Sequence, residues 1–133
     1  MKTLPTFVKL VPFVDTDMAG IVHFSKILCY VEEAEHAAMA AMGVPALSTE
    51  GGFPKVRVEC DYRAPLRFQD EVSVDLSLVK VGSRSLTWRF SIKVGQQISA
   101  EGGVVTVYTA SVKSGGGVMP EDTRARLLRY VSV

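Results

Sequence analysis

Residues 25–42, SKILCYVEEAEHAAMAAM, set the problem that any fold of this chain must solve. Ile27, Tyr30, Val31, Ala34, Ala37, Ala38 and Ala41 recur at spacings of three and four, which draws one apolar stripe along a helix. Much of that stripe is alanine. Small side chains let a helix sit close to its neighbour, as if wrapped by a curved sheet rather than lying on a flat one. Glu32, Glu33, Glu35 and His36 are expected on the opposite side. Ser25 reads as the N-cap, and Gly43 followed by Pro45 as the stop.

The rest of the chain is patterned for strands. Residues 6–14 read as a first strand that is apolar on both faces, with Pro12 marking an edge or a bend. Val56, Val58, Cys60 and Tyr62 alternate with charged residues, and Val72, Val74, Leu76 and Leu78 with Ser73, Asp75 and Ser77. Gly82-Ser83 marks a tight hairpin, after which Leu86, Trp88, Phe90, Ile92 and Val94 give the cleanest period of two. A long strand over about residues 98–112 and a short helix from Pro120 or Glu121 to Arg129 complete the chain. The order is strand, long helix, then four antiparallel strands. The alanine-rich helix is the one element large enough to cover their apolar face. The expected fold is therefore α+β: a long central helix wrapped by a curved antiparallel sheet, the arrangement called the hot-dog fold.

At 133 residues, without repeats or low-complexity linkers, residues 1–133 read as one domain. Fifteen Lys and Arg against fourteen Asp and Glu leave a net charge of +1, which lacks the basic footprint of a nucleic-acid binder. No apolar run approaches a membrane span or a signal peptide, so no membrane partner is expected. Cys29 and Cys60, far apart, read as buried reduced thiols in a cytoplasmic protein. Val79, Val81, Val105 and Val107 interrupt the otherwise polar outer face of the sheet. Part of that face, or a strand edge, is expected to meet another copy in a homodimer or homotetramer.

The most informative stretch is Asp15-Thr16-Asp17-Met18-Ala19-Gly20-Ile21-Val22-His23-Phe24. It puts two carboxylates just before a long helix, whose first turn offers free N–H groups and a partial positive charge. A carbonyl placed there would be polarised, and the oxyanion formed on attack stabilised further. A carboxylate close by could attack the carbonyl or take a proton from water. Either aspartate also fits as an ordinary cap or turn residue. The calcium-loop reading of D-x-D-x-x-G fails, because the twelfth position is Lys26 where a bidentate Glu is needed. Cys29 and His36 lack partners at metal spacing, and Ser25 lacks a nucleophile-elbow context. No metal or other cofactor is expected.

The run DTDMAGIVHFSKILCYVEEAEHAAMAAMGVP, with FPKVRVECDYRAPLRFQDEV and VGSRSLTWRFSI, closely resembles the 4-hydroxybenzoyl-CoA thioesterase-like branch of the hot-dog acyl-CoA thioesterases. The resemblance implies thioester hydrolysis of an acyl-CoA substrate. It makes Asp17 the catalytic carboxylate, as nucleophile or general base, with the backbone N–H of about Phe24 polarising the thioester carbonyl. It leaves Asp15 as a turn-former. His23 would line the acyl pocket, hydrogen-bond the substrate or pack at the helix entry. For the CoA end the resemblance points to Arg84, after the Gly82-Ser83 turn, with Arg63 and Arg67 as further candidates. A carrier-protein thioesterase and a non-catalytic acyl-CoA-binding module share this pattern in large part. An acyl-thioester dehydratase would need a His-and-acid pair in a different motif.

Overall fold

The computed structural model describes residues 2–46, 51–110 and 116–132, and five strands within them form one antiparallel sheet. These are β1 (Phe7–Leu10), β2 (Lys55–Tyr62), β3 (Glu71–Val81), β4 (Ser85–Val94) and β5 (Gln97–Val107), in the spatial order β1-β3-β4-β5-β2. The long helix α1 (Phe24–Ala41) packs on one face of the sheet, chiefly against β3, and the short helix α2 (Glu121–Leu128) also contacts β3. This is the α+β hot-dog arrangement that the alanine stripe and the period-two segments lead one to expect.

The core forms where the two periodicities meet. Val72, Val74 and Leu78 of β3 and Leu86, Trp88, Phe90 and Ile92 of β4 are buried on one side of the sheet. Ile27, Tyr30, Val31, Ala34, Ala38 and Met39 of α1 are buried as well. Each large apolar side chain removed from water in this way contributes about 1.5–3 kcal/mol. Small residues on β5 face large ones on β4: Ala100 pairs with Ile92 and Gly102 with Phe90. A side chain at Gly102 would run into the Glu59 carbonyl of β2, so only hydrogen fits there.

Several details depart from the sequence expectations. The first strand stops at Leu10, because Pro12 lacks an N–H for the ladder, and residues Phe13–Asp15 turn as a 3-10 helix. The helix is capped by His23, not Ser25: the His23 side chain accepts from the Ser25 N–H. Gly43 stands just past its end with φ +75°, as a stop requires. Ala41 is exposed, whereas Glu35 is buried at 6% exposure although a polar face was expected for it. Val81 belongs to the core because a bulge between Leu78 and Lys80 adds one residue and exchanges the faces beyond it. Cys29 is exposed and Cys60 half-buried, against the expectation of buried thiols. β5 ends at Val107; residues 111 and 112 of the expected strand lie outside the described residues.

β1 and β2 are the sheet edges. Val58, Cys60 and Tyr62 pair with Val104, Gly102 and Ala100, which puts them on the helix side of the sheet. The helix does not extend over them: Val58 is 42% and Tyr62 48% exposed. Among the described residues, no helix is long and apolar enough to cross a membrane.

Candidate active site

Residues 15–23 form a small closed loop that delivers Asp17 beside the start of α1. The His23 N–H donates to the Asp15 carbonyl (3.0 Å), Thr16 bridges to Val22, and the Asp17 N–H donates to the Ile21 carbonyl (2.9 Å). Gly20 closes the tip with φ +80°, a conformation open to glycine without strain. The loop is held on the body by the Val22 N–H, which donates to the Leu66 carbonyl at 2.8 Å.

Within this loop the two aspartates have different work. The Asp17 Oδ1 accepts from the Ala19 N–H at 2.9 Å and the Ile21 N–H at 3.4 Å. Its other oxygen has no partner among the described residues, and the side chain is exposed. The Asp15 carboxylate instead accepts a 2.6 Å hydrogen bond from the Tyr30 hydroxyl. Burial, then the hydrogen bond and negative charge of Asp15, raise the Tyr30 pKa far above the ordinary phenol value, so the hydroxyl stays a donor.

The helix start is built around His23. Its Nδ1 accepts from the Ser25 N–H at 3.3 Å and lies 2.8 Å from the Ser25 hydroxyl. Acceptance at Nδ1 places the ring proton on Nε2. The imidazole stacks on the Phe24 ring at 4.5 Å. The Phe24 N–H, first of the helix, has no acceptor among the described residues, as the opening turn of a helix dictates. The Tyr62 hydroxyl donates to the Phe24 carbonyl at 3.3 Å and ties the end of β2 to this turn. Asp17, His23, Phe24, Tyr62, Arg63 and Leu66 line one concavity of about 550 Å³. Its walls hold a carboxylate, a helix N-terminus and three aromatic rings.

Of the three arginines nominated for CoA, only Arg63 lines this concavity, with its Nε 2.9 Å from Glu101, while Arg67 bridges to Ile21 of the loop through its backbone. Arg84 precedes β4 at Ser85, whereas the site end of the sheet is marked by Ile92, paired with Ala100, which in turn pairs with Tyr62. Seven residue steps separate these ends, about 23 Å along a strand. Within one chain, Arg84 and Asp17 are not brought together. Arg84 sits instead at an end enriched in basic groups: Arg124 donates to the Val81 and Gly82 carbonyls, and Arg126 to the Gly43 carbonyl.

Sequence reasoning missed three groups. Tyr62 could have been found as the last aromatic of an alternating strand. Tyr30 reads from the sequence only as a core residue of the stripe. Glu35 lies four residues after Val31 and three before Ala38, so the helical period places it at the edge of the buried stripe. It and Glu32 both bond Lys55 (2.9 and 3.1 Å) beside a second cavity of about 590 Å³ that His36 and Phe53 also line.

Comparison with known proteins places the family and the fold. Residues 19–101 match the thioesterase superfamily. A 1,4-dihydroxy-2-naphthoyl-CoA hydrolase from Synechococcus elongatus is 35% identical over 81 residues, which make up 57% of this chain and 60% of that relative. Among solved structures, a hypothetical protein from Thermus thermophilus superposes with a TM-score of 0.89 at 26% identity, covering 97% of this chain and 98% of that one. A gentisyl-coenzyme A thioesterase superposes with a TM-score of 0.85 at 25% identity, covering 92% and 99%. The family match begins at Ala19, two residues after Asp17, and runs into β5, more than half of the sequence, and by it the chain belongs to the thioesterase superfamily.

Proposed function

We propose that the chain hydrolyses acyl-CoA thioesters to a free acid and CoA, with Asp17 as nucleophile or as general base. The observation that carries this reading is that Asp17 and Phe24, whose N–H opens α1, line one concavity. A thioester carbonyl oxygen seated on the helix N-terminus accepts from that N–H, and the bond strengthens as the oxygen becomes an oxyanion. In the general-base route a water oxygen adds to the carbonyl carbon while its proton passes to Asp17. In the nucleophilic route Asp17 forms an acyl anhydride that water then opens. Both routes break the carbon–sulfur bond and release the thiolate of CoA, which needs no strong general acid to leave. His23, with its Nε2–H free to donate, supports binding of a polar group on the substrate.

The acyl group we favour is aromatic. His23, Phe24 and Tyr62 supply aromatic walls, and two of the proteins named above, the 1,4-dihydroxy-2-naphthoyl-CoA hydrolase and the gentisyl-coenzyme A thioesterase, carry aromatic acyl groups in their names. We assign Arg63 and Arg84 to the CoA phosphates, with Arg84 supplied by a second copy. The exposed Val58 and Tyr62 on edge strand β2 support a homodimer or homotetramer. Antiparallel pairing of two β2 strands about a two-fold axis would set the Lys55 end of one copy beside the Tyr62 end of the other. A cytoplasmic setting fits two free cysteines, one of them exposed. The test is release of free thiol from a panel of aromatic and aliphatic acyl-CoAs. Turnover of the aromatic members is expected; no release from any member would overturn the proposal.

A further inference from the structure

Tyr30 is 1% exposed and lies near the middle of α1, yet its hydroxyl reaches out of the helix to the base of the Asp17 loop. The residue it holds, Asp15, donates its own N–H to the Pro12 carbonyl at 3.2 Å and accepts two further bonds. Its carboxylate takes the Tyr30 hydrogen bond at 2.6 Å, and its carbonyl takes the His23 N–H at 3.0 Å. His23 immediately precedes Phe24, whose N–H opens the helix. Two residues beyond Asp15 in the other direction stands Asp17, held by its backbone bond to Ile21. Through Asp15, one hydroxyl thus braces both strands of the loop beside the point where the second enters the helix. The loop is otherwise tied to the body by the buried Val22 side chain, by the backbone bond from Val22 to Leu66 and by an isolated bridge from Ile21 to Arg67. The Lys9 ammonium stands 5.6 Å from the centroid of the Tyr30 ring and pairs with Glu33 at 3.1 Å, which confines the ring further.

We propose that Tyr30 is the positioning residue of this site: by holding Asp15, its hydroxyl sets where the Asp17 carboxylate stands relative to the Phe24 N–H. The inference rests on the thioesterase reading above for its catalytic consequence, and on the hydrogen bonds alone for its geometry. A catalytic carboxylate displaced by about 1 Å loses on the order of 100-fold in rate, because attack requires a narrow range of approach. Substrate binding to the walls of the concavity draws on other residues and is left largely unchanged. Tyr30 does not touch the reacting atoms in this scheme; it acts through Asp15.

The experiment compares wild type, Asp17→Asn, Tyr30→Phe, Asp15→Asn and the Tyr30→Phe/Asp15→Asn double variant on one aromatic acyl-CoA, with amide hydrogen exchange on the same samples. Tyr30→Phe keeps the ring and removes only the hydroxyl. It is expected to lower kcat by about 10- to 100-fold while KM stays within about threefold. Asp15→Asn retains an oxygen for the phenol to bond and is expected to keep kcat within about threefold of wild type. The double variant is expected to be no worse than Tyr30→Phe alone, since both act through one bond. In Tyr30→Phe the His23 amide is expected to exchange at least about 10-fold faster, while the mid-helix Ala34 and Ala38 amides keep their wild-type rates.

Unchanged kcat, or a loss confined to KM, would overturn the positioning role. So would uniform acceleration of all amides, which marks a general loss of stability. If wild type releases no thiol, or Asp17→Asn is as active as wild type, it is the thioesterase reading that fails. The His23 exchange rate then decides the brace by itself.

Discussion

The Lys55 ammonium lies 2.9 Å from the carboxylate of Glu35, a residue only 6% exposed, and a second carboxylate, Glu32, stands 3.1 Å from the same nitrogen. This pairing ties the start of β2 to the middle of α1, between the sheet edge and the helix. Removing Lys55 would leave Glu35 buried without its counter-charge. Lys55→Met is expected to cost about 1.5–3 kcal/mol, the scale of a charge-assisted hydrogen bond, read from chemical denaturation.

The same pairing carries a pH dependence of definite sign. Burial alone pushes the Lys55 pKa down, but Glu35 and Glu32 outweigh it, and the net shift is upward from the ordinary 10.5. A cation whose folded pKa is raised contributes its full stabilisation below the unfolded value and loses it as pH rises through the folded one. The difference in melting temperature between wild type and Lys55→Met should therefore stay constant from pH 7 to the ordinary lysine range. It should shrink only above that range. A gap that closes already between pH 7 and 9 would contradict the assignment.

The exposed edge of β2 predicts assembly. Sedimentation at micromolar concentration should give a dimer or tetramer, and Val58→Lys, which puts a charge on the exposed helix-side face of that strand, should shift it toward monomer and lower turnover. A wild-type monomer with full turnover would refute both the assembly and the placement of the site at a subunit boundary.

CoA recognition is tested at Arg84. A charge-assisted bond to a phosphate is worth roughly 1–3 kcal/mol, so Arg84→Ala should raise KM for acyl-CoA by about 5- to 150-fold with a smaller effect on kcat. An acyl-pantetheine substrate lacks the nucleotide and should be almost unaffected. Equal losses on both substrates would make Arg84 a residue of the fold or the interface.

What the sequence made legible was whatever depends on local period. Ile27, Tyr30, Val31, Ala34 and Ala38 declared the helix and its buried side, and Leu86 to Ile92 declared the central strand; all lie where the pattern puts them. The pattern misled where one residue alters the geometry. The bulge at Leu78/Lys80 moved Val81 inward, and Pro12 cut β1 short. Edge position was equally hidden, because Val58 alternates like a core residue and is exposed only because α1 does not extend over β2. In the site, the Asp15–Phe24 segment was legible as a whole because it is contiguous. The hydroxyls of Tyr30 and Tyr62, which tie it to the helix and to β2, come from elsewhere in the chain and required the fold. Arg84 was nominated by resemblance, and register puts it at the far end of the same chain.

The proposed thioesterase depends above all on Asp17 as the group that carries the chemistry. The measurement that tests this is single-turnover thiol release from an aromatic acyl-CoA by wild type and Asp17→Asn, with folding checked by thermal melting. The amide retains an oxygen for the Ala19 and Ile21 N–H groups, so melting should be nearly unchanged, while release should slow by on the order of 100-fold or more. An Asp17→Asn variant that melts like wild type and still turns over at a rate near wild type would contradict the account.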